Sequence, residues 1–295
     1  MTKNNAQKMN ILAPAKLNLA LKIGEKQKNG LHHIDSEVIK ISLADQLKCT
    51  VDPKNTEGKI FLTVTNTTDS DLTILPEENL VIRATKGFFA HFLPGKKIPN
   101  ISIELEKNIL IGAGLGGGSS DAAAMIRFLV ATFFPTATTE EILRFGLSLG
   151  SDIPFFLTPF ARAKMGGCGE KIKGFLPEKK SFFLLVRPHG LTISTAKMFE
   201  KWDLSEKNNE AEKNDFEKIV FEQFPEIAKI AEKIEKHTPK VGLSGSGSIV
   251  FGVFEKELEA KNAKKQFESK KFWSQITENR IEKNDEIEKN LHSSL

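Results

Sequence analysis

The chain has 295 residues, 40% of them hydrophobic and 27% charged, and a net charge of only +4. This length exceeds one average domain and suits two, and the composition is that of an ordinary globular chain with sizeable cores. Nothing in it demands a nucleic acid or a membrane as partner, because the excess charge is small and no apolar run reaches the roughly 18 residues of a spanning helix.

Cys49 and Cys168 lie far apart without metal-ligand spacing, which fits a reducing cytosol. Pro14 and Lys16 interrupt the apolar run Ile11 to Leu21, so no signal-peptide core is expected and the location reads as cytoplasmic. Oligomeric state stays open.

Residues 1–9 are polar and read as frayed. Asn10 to Ile23 alternates loosely and predicts one or two strands, with Lys16 and Asn18 as polar intrusions. Alone, Lys16 reads as readily as the solvated side of that strand. Gln27 to Gly30 is a turn; Val38–Leu43, Gln46–Val51 and Ile60–Val64 read as strands. Asn66 to Asp71 is a polar turn, and Pro76-Glu77-Glu78-Asn79 opens a helix to about Phe92. Ile101 to Glu106 alternates as a half-buried strand. Ala122 to Phe134 is apolar nearly all round and reads as a buried helix, followed by a second helix, Glu140 to Leu149.

Gly150-Ser151-Asp152-Ile153-Pro154 is a turn presenting an acid before an apolar segment. Ala161–Met165 is a strand, Gly166 to Glu170 a sharp turn, and Ser181–Val186 a strong strand that Pro188-His189-Gly190 breaks. Thr195 to Trp202 starts a helix, Lys207 to Asn214 is a charged loop, and Phe216 to His237 is one amphipathic helix. Val241 to Ser248 is a glycine-serine loop feeding the strand Ile249 to Phe254. From Glu255 onward both charge signs are dense, which predicts one solvated helix and then a tail. Antiparallel strands mixed with helices argue for an α+β fold in two lobes. Residues 1–165 form the N-terminal lobe in this reading and 166–295 the C-terminal one.

Between the strand ending near Glu106 and the helix at Ala122 lies Ile109-Leu-Ile-Gly112-Ala113-Gly114-Leu115-Gly116-Gly117-Gly118-Ser119-Ser120-Asp121. Glycines let backbone N–H groups wrap an anion, and the following helix start adds donors and partial positive charge. The stretch therefore reads as a polyphosphate cradle, with Ser119 and Ser120 adding hydroxyls or capping the helix. A Walker loop is excluded, since no lysine follows the last glycine. Gly112-x-Gly114-x-x-Gly117 does fit the dinucleotide spacing, but Glu140 and Glu141, near the distance of the expected ribose acid, fall in a helix start. A flexible surface loop is the bland alternative.

This loop, with Pro14-Ala15-Lys16-Leu17-Asn18 upstream and Leu243-Ser244-Gly245-Ser246-Gly247 downstream, resembles the three motifs of the GHMP small-molecule kinases. Within that superfamily, Gly30-Leu31-His32, Leu115 to Asp121 and Gly150 to Pro154 are most similar to the 4-diphosphocytidyl-2-C-methyl-D-erythritol kinases. The resemblance spans roughly residues 9–255. It implies a ribosomal-S5-like N-terminal lobe that binds ATP, a ferredoxin-like C-terminal lobe on the substrate side, and phosphorylation of the 2-hydroxyl of a CDP-linked alcohol. Mg²⁺ is expected with the triphosphate, without evident protein ligands.

The resemblance also implies residue roles. Asp152 matches the general base and Lys16 the catalytic lysine, which would keep the acid ionised and stabilise charge on phosphate oxygens. Without the motifs, Asp152 is an ordinary turn or capping acid. Gly112, Ala113, Gly114, Leu115, Gly116, Gly117, Gly118, Ser119 and Ser120 would cradle ATP, and Asn79 and Lys107 would line the adenine site, although Lys107 also reads as a plain strand-end lysine. On the substrate side stand Asn18, His32, Thr195 and Phe199, the last of which could equally be core. Leu31 replaces the tyrosine usual before that histidine, in a chain with no tyrosine at all, and Leu110 replaces a proline before the loop. The alternatives are a homoserine- or mevalonate-type kinase of the same superfamily, or a non-catalytic relative serving as a ligand-binding regulator.

Overall fold

The computed structural model describes residues 7–28, 30–68, 74–175, 179–205 and 213–280. The polar residues 1–6, the turn residues 69–71, the loop residues 207–212 and the tail beyond 280 lie outside the described residues.

Two long antiparallel strands form the spine: β1 (Gln7–Lys26) and β2 (His32–Asp52). The sequence reading divided β2 in two, yet it runs unbroken through Ala44 and Asp45. Register shifts fall between Pro14 and Lys16, and again between Asn18 and Ala20. Proline cannot donate to a ladder and a bulge re-aims the side chains around it. Residues 13–18 are buried on both faces, which removes the solvated-strand reading of Lys16.

β3 (Ile60–Asn66), β4 (Asn100–Lys107), β5 (Arg162–Gly167) and β6 (Lys171–Phe175) complete a six-stranded sheet in the order β3-β4-β2-β5-β6, with β1 on β2. β3 runs parallel to β4; the other pairs are antiparallel. The β5–β6 hairpin carries this sheet to Phe175, past the expected lobe boundary at 165/166. Among the described residues this lobe has the helices α1 (Leu80–Phe92), α2 (Gly117–Phe133), α3 (Thr139–Leu149) and α4 (Ile153–Leu157). Asn79 caps α1 through its side-chain oxygen, and a reciprocal Thr138–Glu141 capping box starts α3. Phe88, Phe128 and Phe155 are buried in the core that these helices share with the sheet.

The second lobe has an antiparallel sheet in the order β10-β7-β9-β8, built from β7 (Phe182–Pro188), β8 (Val241–Leu243), β9 (Val250–Phe254) and β10 (Phe272–Glu278). Its helices are α5 (Thr195–Leu204), α6 (Glu217–Gln223), α7 (Pro225–Glu235) and α8 (Glu257–Lys264). The single helix expected over 216–237 is two, because Pro225 lacks an N–H and starts α7. The solvated helix expected from Glu255 is also corrected: α8 is short, and β10 pairs with β7 from Phe272 to Glu278.

A third apolar cluster joins the lobes. Ala15, Leu17, Ile39 and Ile41 meet Leu110, Ala113 and Leu115 of the glycine stretch, Phe183, Leu185 and Phe251 of the second sheet, and Ile249 just before β9. The apolar residues between the glycines are thus the anchor that fixes the loop against both lobes.

Candidate active site

A cleft of about 670 Å³ runs along this seam. Its walls include Lys16, Asn18, Asn79, Lys107, the whole run Gly112 to Gly118, Asp152, Thr195 and Phe199. Residues picked out from far-apart stretches thus converge on one cavity.

The glycine loop has φ of 76° at Gly114 and 70° at Gly116, a left-handed backbone that side chains disfavour. At Gly114 space is also lacking, since a Cβ would stand 2.0 Å from the Ser244 carbonyl oxygen. The second glycine-serine loop therefore packs directly on the first. Ser244 Oγ donates to Gly114 O at 2.9 Å, and Ile193 N–H donates to Gly112 O at 3.0 Å. Asn214, buried, holds the second loop by donating to Leu243 O and Gly245 O, both at 2.8 Å.

Gly116 is the N-cap of α2, with no side-chain cap. The first intrahelical bond runs from Ser120 N–H to Gly116 O, so the N–H groups ahead of it have no partner within the helix. Helix start and glycine loop thus bring N–H donors and partial positive charge to the cleft wall, an arrangement that suits an anion. The serines stand differently from expectation. Ser120 is buried with no partner for its hydroxyl, Ser119 Oγ lies beside Gly150, and neither lines the cleft or caps the helix. Both lie in the first turn of α2, Ser120 buried and Ser119 half-buried.

Lys16 reaches the cleft from the bulged part of β1. Its ammonium donates to Asn18 Oδ1 at 2.5 Å and stands 3.6 Å from Asp152 Oδ2. Asn18 Nδ2 donates to Ser36 Oγ at 2.8 Å, and Ser36 Oγ donates in turn to Ala20 O at 2.7 Å. Lysine and asparagine are thus fixed from behind, while Asp152, one-third exposed at the start of α4, faces the cavity. Its side chain caps nothing.

Lys107 is no plain strand-end lysine. Its ammonium is buried between Asp45 and Asp121, donating to Asp45 Oδ2 and, at 2.7 Å, to Asp121 Oδ2. Burial alone would lower the ammonium's pKa, but the two carboxylates outweigh it and hold it above the usual lysine value. The Asp121 carboxyl is pushed up to about 7 by burial; Lys107 pulls against that and Asp45 adds to it. Asp45 carried no signal in the sequence.

At the other end of the cleft, α5 aligns Thr195, Phe199 and Asp203 on one face. Thr195 Oγ1 is 2.9 Å from Ser246 Oγ. Phe199 stacks on His32 with centroids 5.0 Å apart and meets Phe216, an unforeseen member of the wall, edge-on at 5.0 Å. His32 stands behind Phe199, off the cleft wall. Its Nδ1 faces Gly24 O at 3.3 Å, and its Nε2 lies 3.1 Å from Asp203 Oδ1. Leu31 is 49% exposed.

Among the described residues no cluster of three or more His, Cys, Asp or Glu could hold a metal ion, and no helix is long and apolar enough to cross a membrane.

Comparison with known proteins shows the family and the fold. The sequence pattern of the GHMP kinases N terminal domain matches residues 79–159, and that of the GHMP kinases C terminal domain matches residues 197–272. A 4-diphosphocytidyl-2-C-methyl-D-erythritol kinase of Desulfotalea psychrophila is 33% identical over 275 residues, covering 87% of this chain and 89% of its own. The crystal structure of a 4-(cytidine 5'-diphospho)-2C-methyl-D-erythritol kinase superposes with a TM-score of 0.70 at 27% identity, over 92% of this chain and 100% of that one. Homoserine kinase from Cytophaga hutchinsonii superposes at 0.64 with 12% identity, over 95% and 96% of the two chains, and shares the fold alone.

Proposed function

The chain belongs to the GHMP kinases, and among them to the 4-diphosphocytidyl-2-C-methyl-D-erythritol kinase family, and from that premise we propose that it transfers the γ-phosphoryl group of ATP to the 2-hydroxyl of 4-diphosphocytidyl-2-C-methyl-D-erythritol. One observation carries the reading. A single cleft holds the glycine cradle, the Lys16–Asp152 pair beside it, and the Thr195 and Phe199 face of α5 beyond the pair.

In this reading the triphosphate lies on the N–H groups of Gly112 to Gly118, and the base end of ATP lies toward Asn79 and Lys107. The acceptor hydroxyl meets Asp152, which orients it and takes its proton as the oxygen attacks the γ-phosphorus. The bond from that phosphorus to the β-bridging oxygen breaks, and ADP leaves. Phosphoryl transfer asks mainly for such positioning and for charge stabilisation, and Lys16 supplies a fixed positive charge between acid and phosphate. A magnesium ion would neutralise β- and γ-oxygens. Asp45 and Asp121 are engaged with Lys107, so the residues present fit an ion carried by the triphosphate better than a protein cage. Asn18 borders the acceptor, and Phe199, backed by His32, offers a ring to the cytosine. A reducing, cytoplasmic setting completes the reading, supported by two free thiols.

Homoserine and mevalonate carry no base for Phe199 to meet, and a non-catalytic regulator would have no use for an aligned Lys16–Asp152 pair. ADP release measured side by side with CDP-methylerythritol, homoserine and mevalonate tests the assignment. Turnover confined to the cytidyl alcohol is expected; faster turnover of either other acceptor overturns it.

A further inference from the structure

Asp45 lies on β2 between the two segments that the sequence divides into separate strands, and its side chain is fully buried. Its Oδ1 accepts the N–H of Asn108 at 2.6 Å and that of Ile109 at 2.8 Å. Its Oδ2 accepts from the Lys107 ammonium. The β2–β4 ladder closes at Gln46 and Glu106, so Asp45 takes over where the main-chain pairing stops. The same ammonium lies 3.2 Å from where a Cβ on Gly117 would stand, directly under the first residue of α2. Lys107 and Asp121 line the cleft; Asp45 stays behind the wall.

A buried carboxylate is unfavourable unless its lone pairs are met. Here the donors that meet them are two amides at the entry of the glycine stretch and the cation beneath its exit. Both ends of the cradle are thereby tied to one side chain.

We propose that Asp45 is a positioning residue of the nucleotide site, setting the spacing between the entry of the glycine loop and the Lys107 ammonium under the α2 N-terminus. The proposal rests on the cleft's glycine end being the nucleotide end. Asp45→Asn keeps an oxygen for the two amides but turns an amide donor toward the ammonium. It should raise KM for ATP tenfold or more while KM for the acceptor stays within about twofold. Asp215 offers a control with the same pattern, accepting Ile23 N–H at 2.7 Å and the Lys22 ammonium at 3.2 Å, but at the second lobe. Asp215→Asn should lower the melting temperature without moving KM for ATP.

If Asp45→Asn leaves KM for ATP unchanged, or raises both KM values equally, Asp45 is only a structural acid and the proposal falls. Should that variant fail to fold, Asp45→Glu, which keeps the charge but changes the spacing, replaces it and is titrated with ATP by calorimetry. Wild-type affinity in the folded Asp45→Glu variant overturns the proposal, and a tenfold loss with the acceptor KM unmoved sustains it. Absence of ATP binding by the wild-type protein would instead sink the reading of the cleft itself.

Discussion

The Lys16 ammonium stands 3.6 Å from Asp152 Oδ2, held there by Asn18 rather than by the acid it faces. The lysine's short bond goes to a neutral partner, which leaves the carboxylate free to bond a hydroxyl. Asp152→Asn should therefore lower turnover by roughly 10²–10⁴-fold, the usual contribution of general-base catalysis. Affinity for ATP should stay close to wild type, because the acid lies beyond the cradle. Turnover within about threefold of wild type would remove Asp152 from the mechanism.

The glycines of the cradle serve different ends, and substitutions should separate them. At Gly114 a Cβ would strike the Ser244 carbonyl, and at Gly117 it would press on Ile109 and the Lys107 ammonium at 3.0 and 3.2 Å. Gly117→Val thus tests packing as much as phosphate binding. Gly118 is cleaner, since a Cβ there meets only Leu80, at 3.6 Å. Alanine is favoured over glycine in a helix by up to about 1 kcal/mol, so Gly118→Ala should keep or raise the melting temperature while raising KM for ATP severalfold. Gly114→Ala should lower the melting temperature by several degrees and abolish turnover. Equal melting temperatures for the two variants would contradict this division.

Much of this was legible in the residues, and what was not has a common cause. The glycine stretch announces itself because it is local: strand, glycines and buried helix follow one another within one segment. Asp152 and Lys16 are individually bland, and only their motifs mark them. Asp45 falls in the gap between the two strands read from the sequence and carries no signal of its own; its burial makes sense only with Lys107, which β3, α1 and most of β4 separate from it in the chain. β10 was hidden likewise. Its Phe272, Trp273 and Ile276 sit next to a lysine-rich helix, and the partner that makes them a strand is β7. Ser119 and Ser120 fall inside α2 because the helix begins at Gly117, five residues earlier than the apolar pattern implied.

The buried triad predicts a pH dependence. The Asp121 carboxyl titrates at about 7 in the folded protein, against an ordinary 3.8. Between those values the folded state keeps a proton that the unfolded chain has lost. The stabilisation is thus complete below about 3.8 and fades as pH rises through about 7. Lys107, held above the usual lysine value, stays charged throughout and adds no slope. Urea midpoints from pH 5 to 8 should fall more steeply for wild type than for Asp121→Asn, a neutral mimic of the protonated acid. A constant difference between the two would mean that Asp121 is ionised across the whole range.

The acceptor end makes the sharpest prediction. Stacking of a base on an aromatic ring is worth about 1–3 kcal/mol, and Leu31 cannot supply it. Phe199 remains on the cleft wall, with His32 stacked behind it at 5.0 Å and Phe216 against its edge at 5.0 Å. A ring braced on two sides loses little freedom when a base settles on it, so more of the stacking energy appears as affinity. Phe199→Ala should accordingly raise KM for the cytidyl substrate tenfold or more, the equivalent of about 1.4 kcal/mol. Leu31→Tyr should leave that KM unchanged or lower it, since a second ring could then close on the base from an exposed position. KM for ATP should move with neither change. If Phe199→Ala alters only ATP binding, or only the melting temperature, the cytosine does not lie on α5 and the identity of the acceptor comes back into question.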